Sequence, residues 1–138
     1  MSGFEVVGAV AAAGQFTEQL ITVGKLIRSV QQQMRDGPAE TLQRLQELET
    51  FRGIVEQIRA IDPLQTKAAG DMFVRCEGYV QQLTTIFQDI NSDAKDSLTR
   101  RTWKAVVGVA REEDILKLLS ALEREKASLQ LHINAANM

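Results

Sequence analysis

The chain has 138 residues, 16 Lys and Arg against 18 Asp and Glu, and 44% hydrophobic residues. That length suits one domain with a core of its own, and a net charge of −2 lacks the basic excess of a general nucleic-acid binder. A single cysteine excludes an internal disulfide and fits a reducing compartment.

The opening, MSGFEVVGAVAAAGQFTEQLITVGKLI, is apolar, small-residued and glycine-rich, with Glu5 and Glu18 the only charged side chains before Lys25. Four readings compete: a signal peptide, a membrane span, an ordinary buried helix, or a helix buried in one state and inserted in another. No basic region precedes the apolar part, and Glu5 stands where a signal needs positive charge. The unbroken apolar run covers only Val6 to Gly14, whereas a span needs about 20 such residues. The last two readings remain.

Helical spacing of Val10, Leu20, Val23, Leu26, Ile27, Val30 and Met34 predicts a long first helix from about Ser2 to Met34. Gly37-Pro38 ends it and starts the next. A second helix is predicted from Pro38 to Ile61, with Leu42, Leu45, Leu48, Phe51, Val55, Ile58 and Ile61 inward. It stops at Asp62-Pro63, because a residue before proline avoids the α region. A third helix is predicted over Gln65 to Ile90, striped by Met72, Phe73, Cys76, Val80, Leu83, Phe87 and Ile90, with Asn91-Ser92-Asp93 as its stop. The remainder reads as a short helix over 97–107 and a longer one over 112–135, with a kink or break at Gly108. Ile115, Leu118, Leu119, Leu122, Leu129 and Ile133 form the inward face of the longer piece. Together these segments predict an all-α fold, an antiparallel bundle of four main helices with a short extra helix around 97–107. Heptad-like spacing in the second and fourth helices also permits a coiled coil, but short connections favour a bundle.

Groups for catalysis do not converge. His132 is the only histidine, and Cys76 sits on an apolar stripe without a partner histidine. No spacing matches a zinc or calcium site. Gly24-Lys25 is not a phosphate-binding loop, because Gln19 and Leu26 occupy positions that need glycine and Ser or Thr. The sequence therefore predicts neither enzyme nor cofactor. Arg100-Arg101-Thr102-Trp103-Lys104 is a basic cluster beside the only tryptophan. It reads either as a contact with anionic lipid headgroups, through Arg100, Arg101, Trp103 and Lys104, or as a packed indole with basic neighbours in solvent.

Glycine inside an exposed helix costs about 1 kcal/mol relative to alanine, yet Gly3, Gly8, Gly14 and Gly24 all fall in the first helix. Gly3 and Gly14 lie about 20° apart on a wheel, and Gly24 lies about 60° from Gly3. Gly8 with Ala12, and Ala9 with Ala13, form small-xxx-small pairs that permit close backbone approach. Such residues either let the helix pass tightly between its neighbours or suit a helix that enters lipid.

The pattern GFEVVGAVAAAGQF, the long first helix, and a late Trp103-Lys104 followed by Ile115, Leu118, Leu119, Leu122, Glu123, Lys126, Ser128, Leu129 and Leu131 resemble the fungal HeLo-like family. That family includes Ses-type domains at the N-terminus of NACHT and other P-loop NTPase receptors. The likeness covers nearly the whole chain and rests on apolar positions and glycines. It implies a helical-bundle cell-death domain of heterokaryon incompatibility or innate immunity. Such a domain is cytoplasmic at rest and acts at the plasma membrane once an NLR-like NTPase or an amyloid signalling element drives self-association. By this resemblance Phe4, Val6, Val7, Gly8, Val10 and Gly14 are the candidate insertion residues. The chain departs from the pattern after the tryptophan, where Val106-Val107-Gly108-Val109 replaces more basic residues and weakens the case for a basic docking surface. Neither an NTPase nor an evident amyloid motif follows, so the chain is expected to be the N-terminal part of a longer protein. The competing expectation is an oligomerisation or adaptor module that does not touch lipid.

Overall fold

The computed structural model describes residues 3–34, 39–61, 66–95 and 102–136. Five helices follow in order: α1 (Gly3–Gln33), α2 (Ala39–Gln46), α3 (Leu48–Ala60), α4 (Lys67–Lys95) and α5 (Trp103–Ala136). The protein is an all-α helical bundle, with no β-strand among the described residues.

The predicted second helix is bent into α2 and α3 at Glu47, which keeps right-handed helical angles (φ −65°, ψ −15°). The Thr50 amide and hydroxyl both donate to the Glu47 carbonyl, at 3.1 and 2.6 Å. The backbone tightens there by a 3₁₀-type turn rather than stopping. The third helix runs past its predicted stop to Lys95. Asn91 and Asp93 do not end it, because their side chains are engaged by other helices. The Asn91 Oδ1 accepts from Gln33 Nε2 at 2.6 Å, and the Asp93 carboxylate accepts from Arg111 at 2.8 Å. Asx residues stop helices by competing for nearby backbone groups, and these two have distant donors instead.

Thr66 and Thr102 cap α4 and α5, their hydroxyls accepting from the amides of Ala69 and Ala105 at 3.2 and 3.3 Å. Gly108 interrupts α5 with φ 75° and ψ 166°, which puts the kink at the predicted glycine. Residues 97–101 of the predicted short helix lie outside the described residues. Arg111 braces the kink, donating both to Asp93 and, at 3.2 Å, to the Val106 carbonyl in the disturbed turn.

Consecutive long elements alternate in direction. Arg28 of α1 meets Glu49 at the start of α3, while Arg59 near its end lies beside Gly14. Arg75 pairs with Glu125, and Asp93 with Arg111, so α4 and α5 are antiparallel. The closest packing joins α1 to α4. Those two run parallel, since Phe16 faces Phe73 near one end and Gln33 meets Asn91 near the other.

The strictest three-four spacing lies on this pair, not on the second and fourth helices. Ala13, Phe16, Leu20, Val23, Ile27, Val30 and Met34 are buried on α1. Ala69, Phe73, Cys76, Val80, Leu83, Phe87 and Ile90 are buried on α4. Two such stripes let the helices pack ridges into grooves along their length. Around them one connected core takes in Leu45, Phe51, Val55, Ile58, Ile115, Leu122 and Leu129. Three predicted core positions need revision: Ile61 is exposed at the end of α3, and Leu26 and Leu118 are only partly buried. Val10 and Leu42 have no described side chains.

Candidate functional site

The N-terminal part of α1 is the region that the sequence singles out. Its backbone is helical from Gly3. The Phe16–Phe73 register places position 10 level with Lys67, the first residue of α4. Residues 3–9 therefore run beyond the start of α4, about 10 Å of helix at 1.5 Å per residue.

Burial changes sharply along the helix. Gly8 and Ala11 are exposed and Ala12 is partly buried, whereas Ala13 is 1% exposed and Phe16 is fully buried. Phe16 sits edge-on to Phe51 with ring centroids 5.1 Å apart and stacks on Phe73 at 6.2 Å. Thr17, also buried, donates its hydroxyl to the Ala13 carbonyl at 2.9 Å, so its own polar group is satisfied. Phe16 and Ala13 were missing from the predicted stripe. Continuing the spacing of Leu20, Val23, Ile27 and Val30 two turns back reaches both.

The glycines do not mark close helix crossings. A Cβ at Gly8 would meet nothing within 4 Å. One at Gly14 or Gly24 would meet only an arginine guanidinium at 3.9 Å, from Arg59 and Arg28 respectively. Tight passage between neighbours therefore does not account for these three residues. Of the candidate insertion residues, Gly8 and Gly14 are described in full. The side chains of Phe4, Val6, Val7 and Val10 lie outside the described residues.

Trp103 is 2% exposed, its ring 6.4 Å from that of Phe87. The indole is a core residue in this conformation, which is the packing alternative, and it presents no face to a headgroup. Arg100, Arg101 and the side chain of Lys104 are outside the described residues.

Elsewhere the chemistry is quiet. Burial pushes the Cys76 thiol up to about 12, so it stays protonated at neutral pH. His132 Nε2 lies 3.5 Å from the Thr66 hydroxyl at the bundle end. Glu77 is half-buried beside the α1–α4 contact, and desolvation holds its pKa above the usual carboxylate range. Among the described residues no three His, Cys, Asp or Glu side chains are grouped to hold a metal ion. No described helix is long and apolar enough to cross a membrane. Comparisons with protein-family models, curated proteins and solved structures gave no match.

Proposed function

We propose that this chain is a non-enzymatic cell-death effector domain. In this reading it self-associates when an NLR-like NTPase or an amyloid signalling element clusters it. It then moves from the cytoplasm to the plasma membrane, which it perturbs with the N-terminal end of α1. The carrying observation is that residues 3–9 run beyond α4 and that Gly8 is exposed with open space around it. The sequence resemblance to HeLo-like domains supplies the activity class.

Energetics limit the mechanism. Freeing all of α1 would expose Phe16, Leu20, Val23, Ile27, Val30 and Met34. At about 1.5–3 kcal/mol each that costs roughly 9–18 kcal/mol, as much as the whole stability of a typical domain, about 5–15 kcal/mol. Moving only the end up to Ala12 leaves that buried stripe, from Phe16 on, in place. The ten helical residues 3–12 reach about 15 Å, short of the roughly 30 Å hydrocarbon layer. The proposed action is therefore that several clustered ends lie along the interface of one leaflet, with Glu5 on the headgroup side, rather than one span per chain.

Dye release from anionic and neutral liposomes tests this on the intact chain, a chain lacking residues 1–9, and Gly8→Glu. The glutamate has room in the folded state, so circular dichroism should be unchanged. Loss of release in both variants, with self-association kept, is the expected result. Normal release by folded Gly8→Glu would sink insertion through this end. The buried stripe of α1 favours the second reading, an adaptor whose first helix is simply core. That reading predicts no release from any form, even when the domain is artificially clustered.

A further inference from the structure

A groove of about 630 Å³ runs between α1 and the bent α2–α3 element, remote from the N-terminal end of α1. That volume lies within the usual range for small-molecule sites. Its floor is apolar, from Leu20, Gly24, Leu45 and Leu48. Its rim carries three cations, Lys25 and Arg28 on α1 and Arg52 on α3. Among the described residues Glu49 is the only acid lining it, and it is paired with Arg28 at 3.0 Å. Arg52 pairs with Glu56 along its own helix at 3.2 Å, and Lys25 has no ion pair among the described residues.

Gly24 keeps this groove open. It lies in the middle of α1, where glycine is a poor helix former. A Cβ there would meet only the mobile end of Arg28, at 3.9 Å, so packing does not demand glycine. A larger side chain would project into the groove instead. The remaining floor residues are nearly closed, with Leu20, Leu45 and Leu48 at 3–7% exposure. What is left open is a slot beside Gly24 with little apolar floor, which suits a single alkyl chain better than a broad apolar face.

We propose that this groove binds a free, single-chain anionic amphiphile, its tail over Gly24 and its carboxylate or phosphate held by Lys25, Arg28 and Arg52. The site is independent of the membrane action proposed above. Charge complementarity selects an anion, and the apolar floor selects a tail over a bare ion.

The test is isothermal titration calorimetry with decyl phosphate below its micelle concentration. Inorganic phosphate and decyltrimethylammonium serve as controls. One saturable site is expected for decyl phosphate, with at least tenfold weaker binding of both controls. Gly24→Leu fills the slot while favouring the helix, so it should keep or raise the thermal midpoint and abolish the site. Lys25→Glu combined with Arg52→Glu should weaken binding at least tenfold and remove its salt dependence. Equal binding by folded Gly24→Leu overturns the proposal, as does equal affinity for inorganic phosphate. Equal affinity for the cationic amphiphile also overturns it, since that marks non-specific adsorption. If a short acidic peptide helix binds wild type and decyl phosphate does not, the groove is a protein-docking site and the amphiphile assignment is wrong.

Discussion

The two parts of α1 differ as a beam differs from its overhang. From Ala13 to Met34 every third or fourth residue is buried, and the face packs along α4. From Gly3 to residue 9 the same helix runs out beyond its neighbour, and the described positions up to Ala12, namely Gly8, Ala11 and Ala12, are small and at least partly exposed. One continuous helix thus combines a part whose removal dissolves the core with a part whose removal should not. Stability experiments break this comparison if the two parts respond alike.

The largest expected effect is at Phe16. It joins α1 to α3 and α4 through two ring contacts and is fully buried. Phe16→Ala should cost about 3–5 kcal/mol, read as a fall in the urea midpoint or as a failure to fold. Deleting residues 1–9 should shift the midpoint hardly at all. A large loss from the deletion would mean that the overhang is core after all.

The buried stripe of α4 gives the next effect. Burial is the main cause that raises the Cys76 thiol, helped by Glu125, while Arg75 opposes it. The folded thiol keeps its proton to about pH 12, whereas an unfolded one loses it near pH 9. Between those values the unfolded state binds fewer protons, so stability falls as pH rises. A shift of 3 units corresponds to roughly 4 kcal/mol at the alkaline limit. Below pH 9 this contribution is fully present. Denaturation measured from pH 8 to 11 should show the decline, and Cys76→Ala should flatten it. At pH 8 a thiol reagent should label Cys76 only in denaturant.

How much of this was legible in the sequence follows from the kind of signal involved. Three-four spacing found Leu20 to Met34, Leu45 to Ile58 and Met72 to Ile90, because burial on a helix needs that period. It failed at Phe16, where surrounding glycines and alanines blurred the stripe. The end of α4 was misread because Asn91, Ser92 and Asp93 look like a cap. Only the folded chain brings Gln33 and Arg111 within reach of their side chains. The parallel α1–α4 pairing was also invisible, since short connections imply only that consecutive helices alternate. For the candidate site, composition pointed to the glycine-rich end, but only coordinates reveal that Gly8 faces open space. Trp103 left two readings open in the sequence, a headgroup contact or a packed indole, and the indole lies in the core in this conformation.

Gly108 offers a control for the remaining glycines. Its φ of 75° with ψ 166° lies in a region that only glycine adopts without strain. Gly108→Ala should therefore cost about 1–3 kcal/mol although a Cβ would touch nothing. If the thermal midpoint is unchanged, α5 straightens at little cost and the Arg111 brace does not define the kink.

The smallest effects run the other way and sharpen the contrast most. At Gly8, Gly14 and Gly24 the helix is regular and no neighbour blocks a methyl group. Alanine at each should stabilise the fold by about 0.5–1 kcal/mol, through lower chain entropy when unfolded and better helix propensity. Helix ends fray, so the gain should be least at Gly8. Thermal melts of the three single variants measure this directly. If all three gain stability, these glycines are not retained for packing in this conformation, and their cost to the resting fold must be explained by another state or a bound ligand. Each variant can then be assigned by function. A change in liposome release confined to Gly8→Ala would tie that glycine to the overhang, and weaker decyl phosphate binding confined to Gly24→Ala would tie the other to the groove. Destabilisation at all three sites would instead mean that α1 lies closer to its neighbours in solution, and the small-residue face would then be a packing surface.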